Sequence, residues 1–280
     1  MEVRIADNAG FCFGVKRAMK MAWDELENKS ENNIYSLGPL IHNKQAVDRY
    51  KEKGLVEMDN LEEIPSESKL IIRSHGVAEK VYTESKAKNM EIVDTTCPFV
   101  KKIHDIVKDF SKRGYKIIIV GNANHPEIIG INGWCNNEAI VINKLEEIDD
   151  ITFDPTQIYC VVSQTTANLE SFDKIVQKLK TKINNLTVKN TICFATKERQ
   201  ISAIDLAREV DCMVVIGGKH SSNTQKLVNI CKDLVPTFSI ETKEELEKEK
   251  FAGFKVAGVT AGASTPDWII EEVINYLKEI

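Results

Sequence analysis

The sequence has 280 residues, of which 42% are hydrophobic and 28% are charged, with 37 basic against 42 acidic side chains. A formal net charge of −5 argues against a general nucleic-acid binder, which needs clustered Lys and Arg. No stretch approaches the roughly 18 consecutive apolar residues of a transmembrane helix, so no membrane association is expected. The opening MEVRIADNAGFCFG lacks a signal-peptide pattern, and the seven cysteines are therefore expected to be reduced thiols in a cytoplasmic protein.

Short apolar runs alternate with longer amphipathic stretches, a pattern typical of parallel α/β construction. In chain order, strands are predicted at NIYSL (33–37), KLIIRS (69–74), KIIIVG (116–121), IYCVVS (158–163), CMVVIG (212–217) and KVAGVT (255–260). Helices are predicted at VKRAMKMAWDELE (15–27), FVKKIHDIVKDFSKR (99–113) and KERQISAIDLAREV (197–210), where apolar residues recur three to four positions apart. No Pro- or Ser-rich linker interrupts the chain, so any domains should be tightly joined.

Three short segments mark an internal repeat: CFGVK (12–16), CPFVK (97–101) and CFATK (193–197). In each, a Cys opens a predicted helix and a Lys follows four residues later. A polar strand tip comes 28 to 30 residues after each Cys and carries, in order, His42, His125 and Ser221. A second tip comes 63 to 71 residues after each Cys and carries His75, Thr165 and Ser264. Three similar lobes, each with one Cys and two polar tips, can therefore converge on one axis.

The helix-opening cysteines, Cys12, Cys97 and Cys193, are the candidate metal ligands. A thiol at a helix N-terminus lies near unpaired N–H groups and the positive end of the helix dipole, which favours thiolate. Two alternatives are burial as a small hydrophobe and a catalytic zinc site with three ligands and an open position. Zinc motifs usually contain a close C-x-x-C pair, which is absent, whereas thiolates from distant segments suit a [4Fe–4S] cluster. The remaining four are predicted to be structural: Cys135, Cys160, Cys212 and Cys231.

The polar strand tips hold three of the five histidines and several hydroxyl and amide side chains: His42, His75, His125, Thr165, Ser221, Ser222, Asn223 and Ser264. Such a ring of hydrogen-bond donors suits an anionic head group, although histidines that cap loops or face solvent are the plainer alternative. A P-loop, an Asp-rich Mg²⁺ site and a G-x-G-x-x-G dinucleotide motif are all absent. A phosphate would therefore be held directly by imidazoles, hydroxyls and helix N-termini.

Glu127 and His104 lie outside the ring of donors, and the sequence suggests a location for each of them. Glu127 is the one carboxylate within a polar tip, two residues after His125, where a proton donor beside a bound hydroxyl would be useful. A position facing solvent, or in the first turn of the following helix, explains Glu127 equally well. His104 lies within a Lys- and Asp-rich helix and is predicted to be at the surface.

The motifs as a set resemble the 4-hydroxy-3-methylbut-2-enyl diphosphate reductase family. They run in order from AGFCFGVKRAM through GPLIHN, RSHGV, DTTCP, GNANHPEIIGINGW, SQTT, ICFATKERQ and SSNTQKL to VTAGASTPDWII. The resemblance implies an iron–sulfur oxidoreductase that removes the hydroxyl of its allylic alcohol diphosphate to give isopentenyl and dimethylallyl diphosphates, the last step of the non-mevalonate isoprenoid pathway. It also implies three α/β lobes in a pseudo-threefold trefoil around a central cluster, at 14–96, 97–192 and 193–280, with the N-terminal strand 1–13 joining the third.

Carried over motif by motif, the resemblance also implies a role for each candidate residue. Cys12, Cys97 and Cys193 would hold one [4Fe–4S] cluster with one open iron. The diphosphate pocket would comprise His42, His75, His125, Ser221, Ser222, Asn223 and Ser264. Thr165 and Glu127, the latter as proton donor, would lie near the substrate hydroxyl, and a ferredoxin or flavodoxin would donate electrons.

Two rival functions use the same features. Quinolinate synthase resembles this plan in its three lobes and three-cysteine cluster, but its strand-tip motifs match less well. A cluster-based redox sensor would not need the ring of histidines and hydroxyls, and the basic helix-turn-helix typical of such a sensor is not evident in the sequence.

Overall fold

The computed structural model of the chain describes residues 1–28 and 33–280, in which parallel strands alternate with helices. The strands are β1 (Glu2–Ile5), β2 (Ile34–Leu37), β3 (Leu55–Met58), β4 (Lys69–Ile72), β5 (Glu91–Asp94), β6 (Lys116–Val120), β7 (Ile140–Ile142), β8 (Tyr159–Ser163), β9 (Leu186–Val188), β10 (Cys212–Ile216), β11 (Thr237–Ile240) and β12 (Val256–Ala261). The α-helices are α1 (Phe13–Glu27), α2 (Lys44–Glu52), α3 (Glu79–Ala87), α4 (Pro98–Lys112), α5 (Pro126–Asn132), α6 (Leu169–Lys182), α7 (Phe194–Ala207), α8 (Ser222–Lys232) and α9 (Asp267–Glu279).

The strands form three four-stranded parallel sheets with one common topology. The spatial orders are β3-β2-β4-β5, β7-β6-β8-β9 and β11-β10-β12-β1. In the third sheet β1 occupies the edge position that β5 and β9 occupy in the other two sheets. It pairs with β12 in a register that places Glu2 beside Val256. The three sheets confirm the predicted fold class of three α/β lobes.

In each lobe the same backbone hydrogen bond joins the ends of two neighbouring strands: β2 and β3, β6 and β7, and β10 and β11. A glycine directly after the first strand of the pair donates its N–H to the carbonyl of the last residue of the second: Gly38 to Met58 at 2.8 Å, Gly121 to Ile142 at 2.9 Å and Gly217 to Ile240 at 2.9 Å. These bonds hold the polar segment that follows the glycine at the carboxyl edge of its sheet. The internal repeat predicted from sequence thus has a structural counterpart in every lobe.

Each sheet buries its central strands on both faces, as parallel sheets require. In the second lobe, α6 covers one face with Phe172, Ile175 and Leu179, which pack with residues of β6 and β8. Helices α4 and α5 cover the other face, with Val107 and Ile131 among the buried side chains. This is why KIIIV and YCVVS are continuous apolar runs rather than alternating ones.

The residues group into two compact units. Unit 1 comprises Met1–Lys16, Ile41–Arg49 and Phe194–Ile280 and contains the third sheet. Unit 2 comprises Arg17–Leu40 and Tyr50–Cys193 and contains the first and second sheets. None of the helices in the described ranges combines the length and the apolar character that crossing a bilayer requires.

The prediction that His104 lies at the surface is wrong. Its side chain is 1% exposed, on the same face of α4 as Val100, Ile103 and Val107. Positions 100, 103, 104 and 107 are spaced as a core-facing helical stripe. The charged neighbours Lys102 and Asp105 occupy the opposite face. Because they raise the charged content of the whole segment, the sequence pattern hides the apolar face on which His104 lies.

The core of the second lobe provides a direct test of the packing. Phe172→Ala removes a fully buried ring from α6 and should lower the free energy of unfolding by about 3–5 kcal/mol. Lys174→Ala, on the exposed face of the same helix, removes only the solvent-exposed ion pair with Glu170 and should leave the free energy of unfolding close to that of the wild type. Anaerobic urea denaturation followed by circular dichroism measures both. Equal costs for the two variants would contradict the assignment of this helix face.

Candidate functional site

The three helix-opening cysteines share one local geometry. Each directly precedes a helix, and each is half-buried. The N–H of each donates to the carbonyl of a residue at or next to the second strand tip of a lobe: Cys12 to Ala263 at 3.2 Å, Cys97 to Ser74 at 3.0 Å and Cys193 to Thr165 at 2.9 Å. The bond satisfies an N–H that the helix itself cannot pair, and it holds the sulfur beside the tip.

The other four cysteines have a different environment. Cys135, Cys160, Cys212 and Cys231 are buried, as predicted for structural residues. Burial raises the pKa of each of these thiols to about 11. Because a metal ligand must be thiolate, the raised pKa disfavours that role for these four thiols. The chain therefore separates its thiols into three half-buried ones at helix starts and four that stay protonated in the core.

The loop that carries Cys97 is fixed by its neighbours in DTTCP. The Thr95 hydroxyl donates to the Ile72 carbonyl, and Asp94 accepts from the Thr96 N–H at 3.0 Å and from Lys101 at 2.8 Å. Burial raises the pKa of Asp94, but hydrogen bonds from Lys101 and Thr96 outweigh it and leave the pKa below its ordinary value. The Asp94 bonds thus stabilise this loop at pH values above the ordinary pKa of Asp. The stabilisation is lost as the pH falls through the lowered pKa of the folded protein.

Two of the candidate histidines lie together in unit 2. The imidazoles of His75 and His125 make an edge-to-face contact with ring centroids 5.6 Å apart. His125 is also the N-cap of α5, because its Nδ1 accepts the Glu127 N–H at 3.1 Å. A neutral imidazole whose Nδ1 accepts a hydrogen bond must carry its proton on Nε2. Sequence reasoning missed this cap, although Pro126 at the first helical position was a usable signal.

Glu127 and Thr165 form a buried pair in unit 2. Glu127 is 3% exposed, which contradicts a position facing solvent. Its Oε1 accepts the Thr165 backbone N–H at 2.6 Å, and its Oε2 accepts the Thr165 hydroxyl at 2.8 Å. Both carboxylate oxygens are therefore oriented by one residue, whose carbonyl in turn accepts from Cys193 at 2.9 Å. A titratable group is thus connected through a single residue to a helix-opening cysteine.

The remaining candidates lie together in unit 1. The Ser264 hydroxyl donates to the His42 carbonyl at 3.1 Å, and Asn223 Oδ1 accepts the Ala263 N–H at 3.0 Å. Ser221 caps α8, and Ser222 is its first residue. The amide Nδ2 of Asn223 is buried and has no hydrogen-bond partner among the described residues. Together these side chains form a polar cluster in which the Asn223 amide is an available donor.

A glycine makes the close approach in this cluster possible. A Cβ on Gly218 would lie only 2.5 Å from the His42 carbonyl oxygen, so no other residue fits between the two tips. The glycines of GGKHSSN are by themselves a weak indication of a functional site, since glycine is common at strand ends. Its role depends on a contact between segments far apart in the chain.

Arg199 is a site-supporting residue to which sequence reasoning gave no role. It is buried on α7, and its Nη2 donates to the Gly10 carbonyl at 2.8 Å, two residues before Cys12. Gly10 has a φ of +88°, a conformation that favours glycine. The motifs AGFC and KERQ therefore meet in unit 1 at the start of α1, a contact that no local pattern could reveal.

The fold and the repeated cysteine geometry define a class: a three-lobed parallel α/β protein with polar strand tips and a thiol at the start of one helix per lobe. The model of the LytB protein family matches residues 3–278. The chain belongs to this family.

Relatives and solved structures agree with the assignment. The chain is 59% identical to the 4-hydroxy-3-methylbut-2-enyl diphosphate reductase of Clostridioides difficile over the whole of both chains. It is 48% identical to that of Caldanaerobacter subterraneus subsp. tengcongensis over 100% of this chain and 98% of the relative. A solved structure of (E)-4-hydroxy-3-methyl-but-2-enyl diphosphate reductase, the terminal enzyme of the non-mevalonate pathway, is 44% identical, with a TM-score of 0.72 and full coverage of both chains. That of the Plasmodium falciparum reductase is 28% identical, with a TM-score of 0.94 over 99% of this chain and 88% of the other.

The division of the thiols predicts their reactivity. After any bound metal has been removed with a chelator, iodoacetamide at pH 8 should alkylate Cys12, Cys97 and Cys193, because their side chains are partly exposed to solvent. The four buried thiols should stay unmodified, since pH 8 lies well below their pKa of about 11. Peptide mass mapping reads the sites, and urea-unfolded protein is the control in which all seven cysteines react. Rapid alkylation of Cys160 in the folded chain would contradict this division.

Proposed function

We propose that this chain is a 4-hydroxy-3-methylbut-2-enyl diphosphate reductase. The reaction takes the allylic alcohol diphosphate, two electrons and two protons to water and either isopentenyl or dimethylallyl diphosphate. The 59% identity to a curated reductase over full length supports the assignment. The observation that carries it is the buried Glu127–Thr165 pair joined to Cys193, since it connects a proton-transfer group to a helix-opening thiol.

The cysteines at the three helix starts fit an iron–sulfur cluster. Their sulfurs are half-buried, their N–H groups are tied to strand tips, and the soft thiolate is the ligand that such clusters require. Cys12, Cys97 and Cys193 would hold one [4Fe–4S] cluster with one open iron. When bound, such a group would pass on the two electrons one at a time from an external donor and would offer a Lewis-acidic iron for the departing hydroxyl.

The diphosphate would be held without a metal, by donors on the polar tips. His125 carries its imidazole proton on Nε2 when neutral, because its Nδ1 accepts the Glu127 N–H, and this N–H would face the phosphate oxygens. Asn223 offers a buried amide Nδ2 that has no partner among the described residues. Helix α8, which begins at Ser222, offers its N-terminus. A negative group is favoured at a helix N-terminus by the unpaired N–H groups and the dipole. The complete set proposed for this role is His42, His75, His125, Ser221, Ser222, Asn223 and Ser264.

Glu127 would deliver a proton to the leaving oxygen through Thr165. In the structure the Thr165 hydroxyl donates to Glu127 Oε2 at 2.8 Å. A hydroxyl can both donate and accept, so a protonated Glu127 can donate to Thr165 Oγ while that hydroxyl donates to the substrate. The Thr165 backbone N–H holds the other carboxylate oxygen, which keeps the carboxyl aligned during the transfer. Burial of both residues excludes the water that would otherwise compete.

Three finer features complete the proposal. A ferredoxin or flavodoxin would supply the electrons. The location would be cytoplasmic, as the cysteine usage predicts. The lobes would divide at 14–96, 97–192 and 193–280 and surround the cluster in a trefoil, with residues 1–13 joining the third.

The test of the proposal is anaerobic purification followed by iron and sulfide analysis and a reductase assay with an artificial reductant. Wild-type protein should contain iron and sulfide and reduce the substrate. Cys12→Ser, Cys97→Ser and Cys193→Ser should each lose most of the cluster and the activity, because a hydroxyl is a poor ligand for iron–sulfur centres. Cys160→Ser and Cys212→Ser are the matched controls and should retain the cluster, at some cost in stability. Wild-type protein with stoichiometric zinc and no iron would overturn the proposal.

The role of Glu127 is tested by Glu127→Gln, which keeps the shape and a hydrogen bond to Thr165 but has no carboxylic proton. Turnover should fall by about 10²–10⁴-fold, the usual contribution of a general acid. Iron content and substrate affinity should stay close to wild type. The measurement is single-turnover reduction of the substrate by the pre-reduced enzyme, with Glu138→Gln, an exposed carboxylate, as the control. Equal rates in wild type and Glu127→Gln would exclude this proton route.

A further inference from the structure

The loop that carries His75 rests directly on the buried ring of His104. Gly76, the next residue, has a φ of +71°, and a Cβ built there would lie 2.5 Å from His104 Cε1 and 3.1 Å from its Nε2. The imidazole edge therefore touches the backbone of Gly76. Both the conformation and this contact exclude a side chain, which accounts for the glycine in RSHGV.

The ring of His104 is itself held in place by Trp134. The two rings stack with centroids 5.2 Å apart and planes inclined by 18°. Trp134 Nε1 donates to the Val77 carbonyl at 2.9 Å, so the tryptophan binds the same loop one residue further on. The stacked pair thus supports two successive residues of the loop, Gly76 by contact and Val77 by a hydrogen bond.

The same loop is interlocked with α5, the helix that follows His125. A Cβ on Gly130 would lie 3.5 Å from the carbonyl group of Gly76. A Cβ on Gly133, directly after α5, would lie 2.1 Å from the Ala78 Cβ, so the chain segments are in close contact there. Any shift of the loop away from His104 would therefore alter its position against α5, and with it the contact between His75 and His125.

We propose that His104 is a positioning residue that, together with Trp134, sets the placement of the His75 imidazole against His125 and thereby the affinity for the substrate diphosphate. The inference rests on the proposed function, in which both histidines bind that group. The Nε2 of His104 has no hydrogen-bond partner among the described residues, so the ring acts by shape and stacking. Burial lowers the pKa of His104 to about 4, which keeps the ring uncharged at neutral pH.

The test compares His104→Ala with Val107→Ala. Both remove buried side chains from α4, but Val107 packs in the core cluster formed with residues of β6 and β8. His104→Ala should raise KM for the alcohol diphosphate about tenfold or more, because the binding groups are misplaced, and change kcat less. It should weaken the binding of inorganic pyrophosphate, measured by calorimetry without any reductant, by a similar factor. Val107→Ala should lower Tm and leave KM and pyrophosphate affinity near wild type.

Each outcome distinguishes the inference from the proposed function. Unchanged KM and pyrophosphate affinity in His104→Ala would overturn the inference and leave the proposed function intact, as would an equal rise in KM in both variants. Wild-type protein that neither reduces the substrate nor binds pyrophosphate would overturn the proposed function, and the inference with it. If His104→Ala does not fold, His104→Gln, which keeps the length of the side chain but cannot stack, is measured in its place with the same expected rise in KM.

Discussion

The backbone hydrogen bond from a helix-opening cysteine to a strand tip underlies the arrangement of the candidate site. It recurs at Cys12, Cys97 and Cys193, at 2.9 to 3.2 Å. The first N–H groups of a helix need partners outside the helix, and a carbonyl at the carboxyl edge of a parallel sheet supplies one. Because the accepting residue adjoins or is a polar tip residue, each bond brings a thiol next to a hydrogen-bonding side chain. The chemistry of the site is thus set by the way the helices start.

Polar groups in the site are buried, and the fold compensates most of the cost through backbone partners. Glu127 is satisfied by the N–H and hydroxyl of Thr165, and Asn223 accepts from the Ala263 N–H. The Asn223 amide lacks a partner among the described residues, and an unpaired buried donor costs on the order of 1–3 kcal/mol. A ligand that accepts a hydrogen bond there would recover that cost. A donor that is already held in place favours anion binding more than a flexible donor does, because less conformational freedom is lost on binding.

The sequence predicted the central elements and the candidate residues better than their contacts. The continuous run KIIIV and the helix-opening cysteines were identified because their signals are local. Short edge strands such as β9 were missed, since three residues carry too little pattern to separate them from loops. His104 was misplaced because its charged neighbours outweighed the helical stripe. The Glu127–Thr165 bond spans 38 residues and follows from how β6 and β8 are aligned, which no motif encodes.

The pairing of β1 with β12 has a consequence for biogenesis. Residues 2–5 lie against residues 256–259, so nearly the whole chain separates the two partners. During synthesis β1 emerges from the ribosome before β12 and cannot pair with it until β12 has emerged, whereas the other two sheets have their strands within continuous segments. Contacts this distant in sequence are slow to form, and domains generally fold as they are made. The lobe in which β1 pairs with β12 is therefore the last of the three to be completed, and a nascent chain stalled before residue 256 would expose β1 to unwanted pairing.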